Sequence, residues 1–274
     1  MFSFMDVVDR VVPSAFVMEN VKALAHLAKF GDVRKELHSR ANAAGYFSKI
    51  FILRACNYGV PQNRERMFFV GTRSQMALKW FEKCLGKLTR PAPILREVLE
   101  RLPRLGEPGN DRLCNAKVTI AAKPVLRKSP YAGMMFNGQG RPLNPNGYAS
   151  TLPASMGGNR TPIIDEEHFF GSGDEWIANY HAELRDGADP LDFLAAPARL
   201  RRLSVDEAIA IQTFPRDYIF AGKNSSIFRQ VGNAVPCDLA YAVGSALAEG
   251  LETNLPADEA DLSLDLVEKM QVAA

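Results

Sequence analysis

Ala15-Phe-Val-Met-Glu-Asn-Val21 is an apolar run that breaks into a carboxyl and a carboxamide. Its first four residues suit a buried strand. Pro13 stops the helix ahead of it, whose Phe4, Val8, Val11 and Val12 fall on one face of a helical wheel. Working outward, Val21 to about Ala44 is a long amphipathic stretch ended by Gly45, and Lys49-Ile-Phe-Ile-Leu53 reads as a second strand. Arg66-Met-Phe-Phe-Val-Gly71 is a third. Strands alternating with helices predict an α/β sheet covered on both faces, whose buried strands need not alternate with polar residues. The front of the chain is therefore a piece of a doubly wound domain.

Beyond it, Ile94 to Leu102 has helical spacing, but from Pro103 to about Pro197 periodicity fades and Pro, Gly and Asn gather around short extended segments. Ser204-Val-Asp-Glu207 is a capping box that opens a helix through Ile211, because Ser204 accepts from the amide three residues on while Glu207 reaches back. A further apolar helix runs from Asp238 to about Leu251, and the tail carries Asp258, Glu259, Asp261 and Asp265 and is expected to fray. The expected division is 1–88, a loop-rich and mainly β module over 89–200, a return to the first domain over 201–252, and an acidic tail over 253–274. There are no internal repeats.

The 274 residues are 47% apolar and 23% charged, a soluble globular composition that excludes disorder, collagen and a disulfide scaffold. The net charge of +2 hides an asymmetry: residues 1–128 carry +12 and the remainder −10. A basic front portion supports a nucleic-acid partner without establishing one. Cys56, Cys84, Cys114 and Cys237 are widely spaced, with no Cys-x-x-Cys and no His at ligand spacing, so thiols are expected and no metal site is readable. No stretch approaches the roughly 20 apolar residues of a membrane span, and no secretory signal is present, so the chain is expected to be neither inserted nor exported.

Three stretches could carry chemistry. Glu19-Asn20 closes a strand, and open α/β sheets bind ligands at the C-terminal ends of their strands. Read alone, Glu19 more often caps the following helix near its positive end. Gln62-Asn-Arg-Glu-Arg66 sets two guanidiniums on alternate residues, hence on one side if extended, where they suit a phosphate or a planar base. A solvated turn pairing with Glu65 is the commoner outcome. Gly232-Asn-Ala-Val-Pro236 offers backbone amides and a carboxamide ahead of a helix, a seat for a carboxylate, or simply a helix-to-helix turn.

Taken together and in order, Phe16-Val-Met-Glu-Asn-Val21, Tyr58-Gly-Val-Pro-Gln-Asn-Arg-Glu-Arg66, Arg202-Leu-Ser-Val-Asp-Glu-Ala208 with Gln212-Thr-Phe-Pro215, and Gln230-Val-Gly-Asn-Ala-Val-Pro236 closely resemble the later motifs of DNA cytosine-5 methyltransferases. The resemblance reaches about Leu251. It implies an incomplete doubly wound S-adenosylmethionine-dependent methyltransferase domain with a smaller target-recognition domain. It further implies that Glu19 meets ring nitrogen 3 and the exocyclic amine of a flipped cytosine, supported by Asn20, while Arg64 and Arg66 hold the base and its flanking phosphate. Gly232, Asn233 and Ala234 resemble the contact to the methionine end of S-adenosylmethionine. Thr151-Leu152 looks like the family's Thr-Leu pair.

Double-stranded DNA is the implied partner, with Gln62, Arg127, Arg141, Thr151, Leu152 and Arg160 as candidate contacts. Lys128, Asn137, Gln139, Asn144, Asn146 and Asn159 add phosphate-binding and base-reading groups nearby. The implied setting is a bacterial restriction-modification enzyme in the cytoplasm, held to the nucleoid through DNA.

The departures matter as much. Ahead of the Glu-Asn-Val strand, where the family resemblance expects them, there is no Phe-x-Gly-x-Gly cofactor loop and no Pro-Cys-Gln nucleophile, and neither Arg-Ala-Cys56-Asn nor Val-Pro-Cys237-Asp has that setting. Without a thiolate the reaction cannot begin. Met1-Phe-Ser-Phe resembles the helix just ahead of the Glu-Asn-Val strand, so the expectation is half of a parallel sheet, open at Ala15 to Met18, explained by a complementing N-terminal chain as partner, by a truncated gene product or by a start codon assigned too late. The alternative is a catalytically dead DNA-binding remnant.

Overall fold

The computed structural model of the chain describes residues 1–133, 141–192 and 196–252. The elements run α1 (Phe2–Val11), β1 (Ala15–Val21), α2 (Lys22–His26), α3 (Gly31–Ala43), β2 (Phe47–Arg54), β3 (Gln62–Asn63), β4 (Glu65–Thr72), α4 (Gln75–Lys87) and α5 (Leu95–Leu99). They continue with β5 (Ala149–Ser150), β6 (Ile163–Asp165), α6 (Glu166–Phe170), α7 (Trp176–Arg185), β7 (Leu200–Arg202), α8 (Val205–Ile211), α9 (Asn224–Asn233) and α10 (Cys237–Glu252). The described residues form two compact units, one of residues 1–58, 65–90 and 238–252, the other of 59–64, 91–133, 141–192 and 196–237. The segment 201–237, expected to return to the first domain, thus folds with the second unit: Leu203, Val205, Ala208 and Ile211 share a core with Leu95, Leu99 and Phe169.

The three strands expected at the front are β1, β2 and β4, in the order β1-β4-β2. The sheet is not parallel, as half a parallel sheet would require: β4 runs antiparallel to both neighbours. The cause lies in the connection. Parallel strands need a crossover of a dozen or more residues, usually a helix, and β2 reaches β4 through a short link holding one 3-10 turn, so the chain reverses. β1 and β2 are consequently parallel to each other, and the described residues give β1 one ladder partner, β4.

Both faces are covered. Met5 and Val8 of α1, Leu24 of α2 and Leu37 and Ala41 of α3 pack on Phe16, Met18, Met67 and Phe69. Phe51 on the other face meets Phe81 of α4 edge-on at 5.1 Å. Phe16 lies so close over Gly71, its ladder partner, that a Cβ there would overlap its ring. On α1 the expected face is only partly right: Val11 and Val12 are exposed, and Val12 is the left-handed cap at which the chain leaves the helix. The amphipathic stretch after Val21 is α2, a 3-10 turn and α3.

The second unit is loop-rich, as expected, but it is not mainly β: its strands are two or three residues long, while α7 and α9 have ten each. Ile177, Tyr180, His181 and Leu184 recur at helical spacing on the buried face of α7, so the period there is helical. The capping box is present, with Glu207 N–H donating to Ser204 Oγ at 3.0 Å and Ser204 N–H to Glu207 Oε2 at 2.8 Å. The acidic tail, Asn137 and Gln139 lie outside the described residues.

Candidate functional site

In the first unit, charge collects at one end of the sheet. Register pairs Val21 with Arg66 and Arg54 with Glu65, so the C-terminal ends of β1 and β2 meet the start of β4. Glu19 and Arg66 are diagonal neighbours on one face, and Arg66 Nε donates to Glu19 Oε1 at 2.8 Å. Both are largely but not wholly covered, at 15% and 29% side-chain exposure, so the pair is held yet reachable. Burial pulls the Arg66 guanidinium below its usual value, and the Glu19 charge opposes that shift. Beside it, Lys22 Nζ lies 2.7 Å from Glu65 Oε2, and this hydrogen bond holds the Glu65 carboxyl below the ordinary carboxylate value. Arg54 is 3.8 Å from the other oxygen of Glu65.

Asn20 takes no part in the Glu19 pair. Successive strand residues point to opposite faces, and its Oδ1 accepts from Val21 N–H at 2.8 Å. The thiols are not presented at a strand end either: Cys56 is buried in the 3-10 turn after β2, and Cys237 begins α10.

In the second unit, the loop 59–64 lies against the segment after β5 and the end of α9. Arg64, expected to hold a base or phosphate alongside Arg66, is 1% exposed. It donates to the Leu152 carbonyl at 3.1 Å and the Gly232 carbonyl at 3.0 Å. The two guanidiniums do not share a side, because β3 ends at Asn63 and β4 begins at Glu65, so no continuous strand carries both. Gln62 and Leu152, expected to touch DNA, are each fully buried. Gln62 Oε1 accepts from Leu152 N–H at 3.0 Å, and Gln62 Nε2 donates to Gln212 Oε1 at 3.0 Å. Thr151 is exposed, its hydroxyl donating to the Asn63 carbonyl at 3.1 Å.

Arg127, Arg141 and Arg160 are exposed, as are Lys128, Asn144, Asn146 and Asn159. Arg160 donates to Ser155 Oγ at 3.2 Å. The turn expected to seat a carboxylate is less open than its sequence suggests. Ala234 N–H donates to the Gln230 carbonyl and Cys237 N–H to the Gln212 carbonyl, each at 3.0 Å. Gly232 is buried and Ala234 half-buried. A Cβ on Gly232 would sit 2.5 Å from the Pro153 carbonyl oxygen. Asn233 is exposed at the last position of α9. Its carboxamide can donate to a carboxylate and accept from an ammonium, the two groups at the end of an amino-acid-like ligand.

Gln212, a residue outside the sequence-derived site set, connects these pieces. Its signal was present: it follows Ile209 and Ile211 on a buried helix, a place where an uncharged polar side chain needs a partner. Among the described residues, no group of three or more His, Cys, Asp or Glu could hold a metal ion, and no helix is long and apolar enough to cross a membrane.

A family model described as C-5 cytosine-specific DNA methylase matches residues 1–249. The chain is 32% identical over 263 residues to the type II methyltransferase M.MthTI of Methanothermobacter thermautotrophicus, covering 92% of this chain and 71% of that one. It is 29% identical to M1.HphI of Haemophilus parahaemolyticus, covering 92% of this chain and 60% of the relative. The crystal structure of an S. pombe Dnmt2 methyltransferase matches at a TM-score of 0.58 and 15% identity, over 93% of this chain and 73% of that one, a likeness of fold.

Proposed function

Because the chain belongs to the C-5 cytosine-specific DNA methylase family, we propose that it works in methyl transfer from S-adenosylmethionine to carbon 5 of a cytosine turned out of duplex DNA, within a restriction-modification system. The observation that carries this reading is the Glu19–Arg66 pair at the sheet end, 2.8 Å apart and partly open. In this reading residues 1–88 form the second half of the catalytic domain, 89–200 supply target recognition, and the protein is cytoplasmic, bound to the nucleoid through DNA.

The Glu19 carboxyl meets ring nitrogen 3 and the exocyclic amine of the cytosine, and Arg66 fixes the orientation of that carboxyl. Stabilising the ring there assists addition of a nucleophile at carbon 6. Turning the base out costs a few kcal/mol, which contacts in the pocket and to the backbone must offset. Exposed Arg127, Arg141 and Arg160, with Thr151, form the DNA-facing set. Arg64, Gln62 and Leu152, being buried, act by holding the loops. Asn233 receives the amino-acid end of S-adenosylmethionine, which supplies the electrophilic methyl group when bound.

These 274 residues contain no Pro-Cys-Gln, so the chemistry needs a segment that carries the nucleophile and the main cofactor loop, on this polypeptide or another. The side of β1 away from β4 has no ladder partner among the described residues, and it is where such a segment would add its strand. The test mixes this chain with a family N-terminal half bearing Phe-x-Gly-x-Gly and Pro-Cys-Gln, and follows tritiated methyl transfer to duplex DNA, with each half alone as control. Activity confined to the mixture is expected. Salt-sensitive DNA binding without transfer in an associated pair would instead identify a DNA-binding remnant.

A further inference from the structure

We propose that Gln62 and Gln212 form a carboxamide relay that couples contact at the Thr151 loop to the turn presenting Asn233. The relay runs from Leu152 N–H to Gln62 Oε1 at 3.0 Å, from Gln62 Nε2 to Gln212 Oε1 at 3.0 Å, and from Gln212 Nε2 to the Val231 carbonyl at 2.5 Å. A longer branch reaches the Ala234 carbonyl at 3.4 Å. Both carboxamides are fully buried. Their orientations are set by the ends of the relay. A backbone N–H can only donate, so Leu152 must meet an oxygen of Gln62. A carbonyl can only accept, so Val231 must meet the nitrogen of Gln212. The middle bond can then run only from Gln62 to Gln212.

A one-way chain of this kind cannot flip one amide without leaving two like groups facing each other in a dry interior, and its bonds polarise one another. Arg64 doubles the tie by gripping the Leu152 and Gly232 carbonyls. The bare Cα of Gly232 lets its backbone close on Pro153 and Ala154. Residues 151–154 and 231–234 therefore shift or stiffen together. Exposed Thr151 precedes Leu152, and exposed Asn233 follows Gly232, so each surface residue is one step from a terminus of these ties. Ordering of the Thr151 loop by DNA stiffens the Asn233 turn, and a ligand on that turn favours the DNA-bound loop by reciprocity. Gln62 and Gln212 are positioning residues in this scheme, which rests on the DNA reading above.

Hydrogen exchange on the full chain, with and without short random-sequence duplex DNA at low salt, tests the coupling. Amides in 149–156 and in 230–237 should both slow about fivefold or more on adding DNA. In Gln62→Met and in Gln212→Met the first segment should keep its protection and the second should lose most of its slowing, the remainder being carried by Arg64. The double variant should match either single one, because a series relay is cut only once. Gln62→Asn keeps a carboxamide but shortens it by one carbon, so that it cannot span from Leu152 N–H to Gln212 Oε1. It breaks the relay without an apolar replacement, and serves where a Met variant melts early. Protection of 149–156 without 230–237 in the unsubstituted chain overturns the relay and leaves DNA binding standing, as does protection of 230–237 that the substitutions leave undiminished. Protection at neither segment overturns the DNA reading and the relay with it.

Discussion

The two compact units solve the same problem with different materials. The first buries apolar rows on a sheet with strands of seven and eight residues, and keeps its charges toward the surface and the sheet end. The second has strands of two and three residues and fixes its loops with buried polar side chains: Gln62, Arg64, Asn110, Thr161, Asp165, His181, Arg202, Ser204, Asp206, Glu207 and Gln212 are all buried there. Among the described residues, the buried polar group of the first unit is Thr72 alone. Where the backbone ladders are long, polar side chains are left for surface and site. Where they are short, side chains must satisfy the loop carbonyls and amides that a ladder would have paired.

Arg64 and Arg66 put that contrast two residues apart, and substitution should separate them sharply. In the complemented enzyme Glu19→Gln, which weakens the ion pair with Arg66, should lower methyl transfer about 10²- to 10⁴-fold, while unfolding free energy moves by about 0.5 kcal/mol or less. Equal transfer rates would remove Glu19 from the chemistry. Arg64→Met should do its damage to the fold. It leaves the buried carbonyls of Leu152 and Gly232 without their donor, costing about 2–4 kcal/mol in urea unfolding. A stable Arg64→Met chain that had lost DNA affinity would return Arg64 to the DNA-facing set and break the comparison.

That contrast also explains what the sequence could disclose. Lys49 to Leu53 and Arg66 to Gly71 are dense apolar runs, and β2 and β4 lie where those runs stand, because burial on a sheet is a local, repeating demand. The reversal of β4 was not legible, since a run of Met, Phe and Val does not encode direction. Ser204 and Glu207 were legible because a capping box is a contact across three residues. Gln62 and Gln212 are 150 positions apart, and Arg64 and Gly232 are 168 apart. No periodicity records such partners. For that reason the motif residues Gln62, Arg64 and Leu152, expected at the base or the DNA, lie in the interior instead, whereas the Glu19–Arg66 pairing is a ladder-diagonal contact of the kind strand reading anticipates.

Two backbone substitutions sharpen the same point in opposite directions. Gly232→Ala would place its methyl 2.5 Å from the Pro153 oxygen and 2.7 Å from the Ala154 nitrogen, both backbone atoms with little freedom. A loss of about 1–3 kcal/mol is expected, read as a lower urea midpoint. Thr213, just after Gln212, is a β-branched residue at φ 56, a left-handed conformation that costs such residues about 1–2 kcal/mol. Thr213→Gly relieves this but also loosens the unfolded chain, so a gain of about 0.5–1 kcal/mol is expected. A destabilised Thr213→Gly would mean that the threonine side chain itself helps hold Gln212.

The smallest expected effect belongs to the first unit and to a titrating group. His38 on α3 lies edge-on to Phe69, its ring centroid 5.1 Å away, with Nδ1 2.8 Å from Ser48 Oγ. Burial lowers its pKa from the ordinary 6.5. As pH falls through 6.5, the unfolded chain takes up this proton before the folded one does. Unfolding is then favoured, so the stability His38 contributes is complete above 6.5 and declines below it. Urea midpoints at pH 7.5 and pH 5.5 should therefore differ more for the unsubstituted chain than for His38→Gln, which cannot take up the proton. Identical pH dependence in the two would place the acid sensitivity of the molecule elsewhere, with the carboxylates of its ion pairs, Glu65 beside Lys22 first among them.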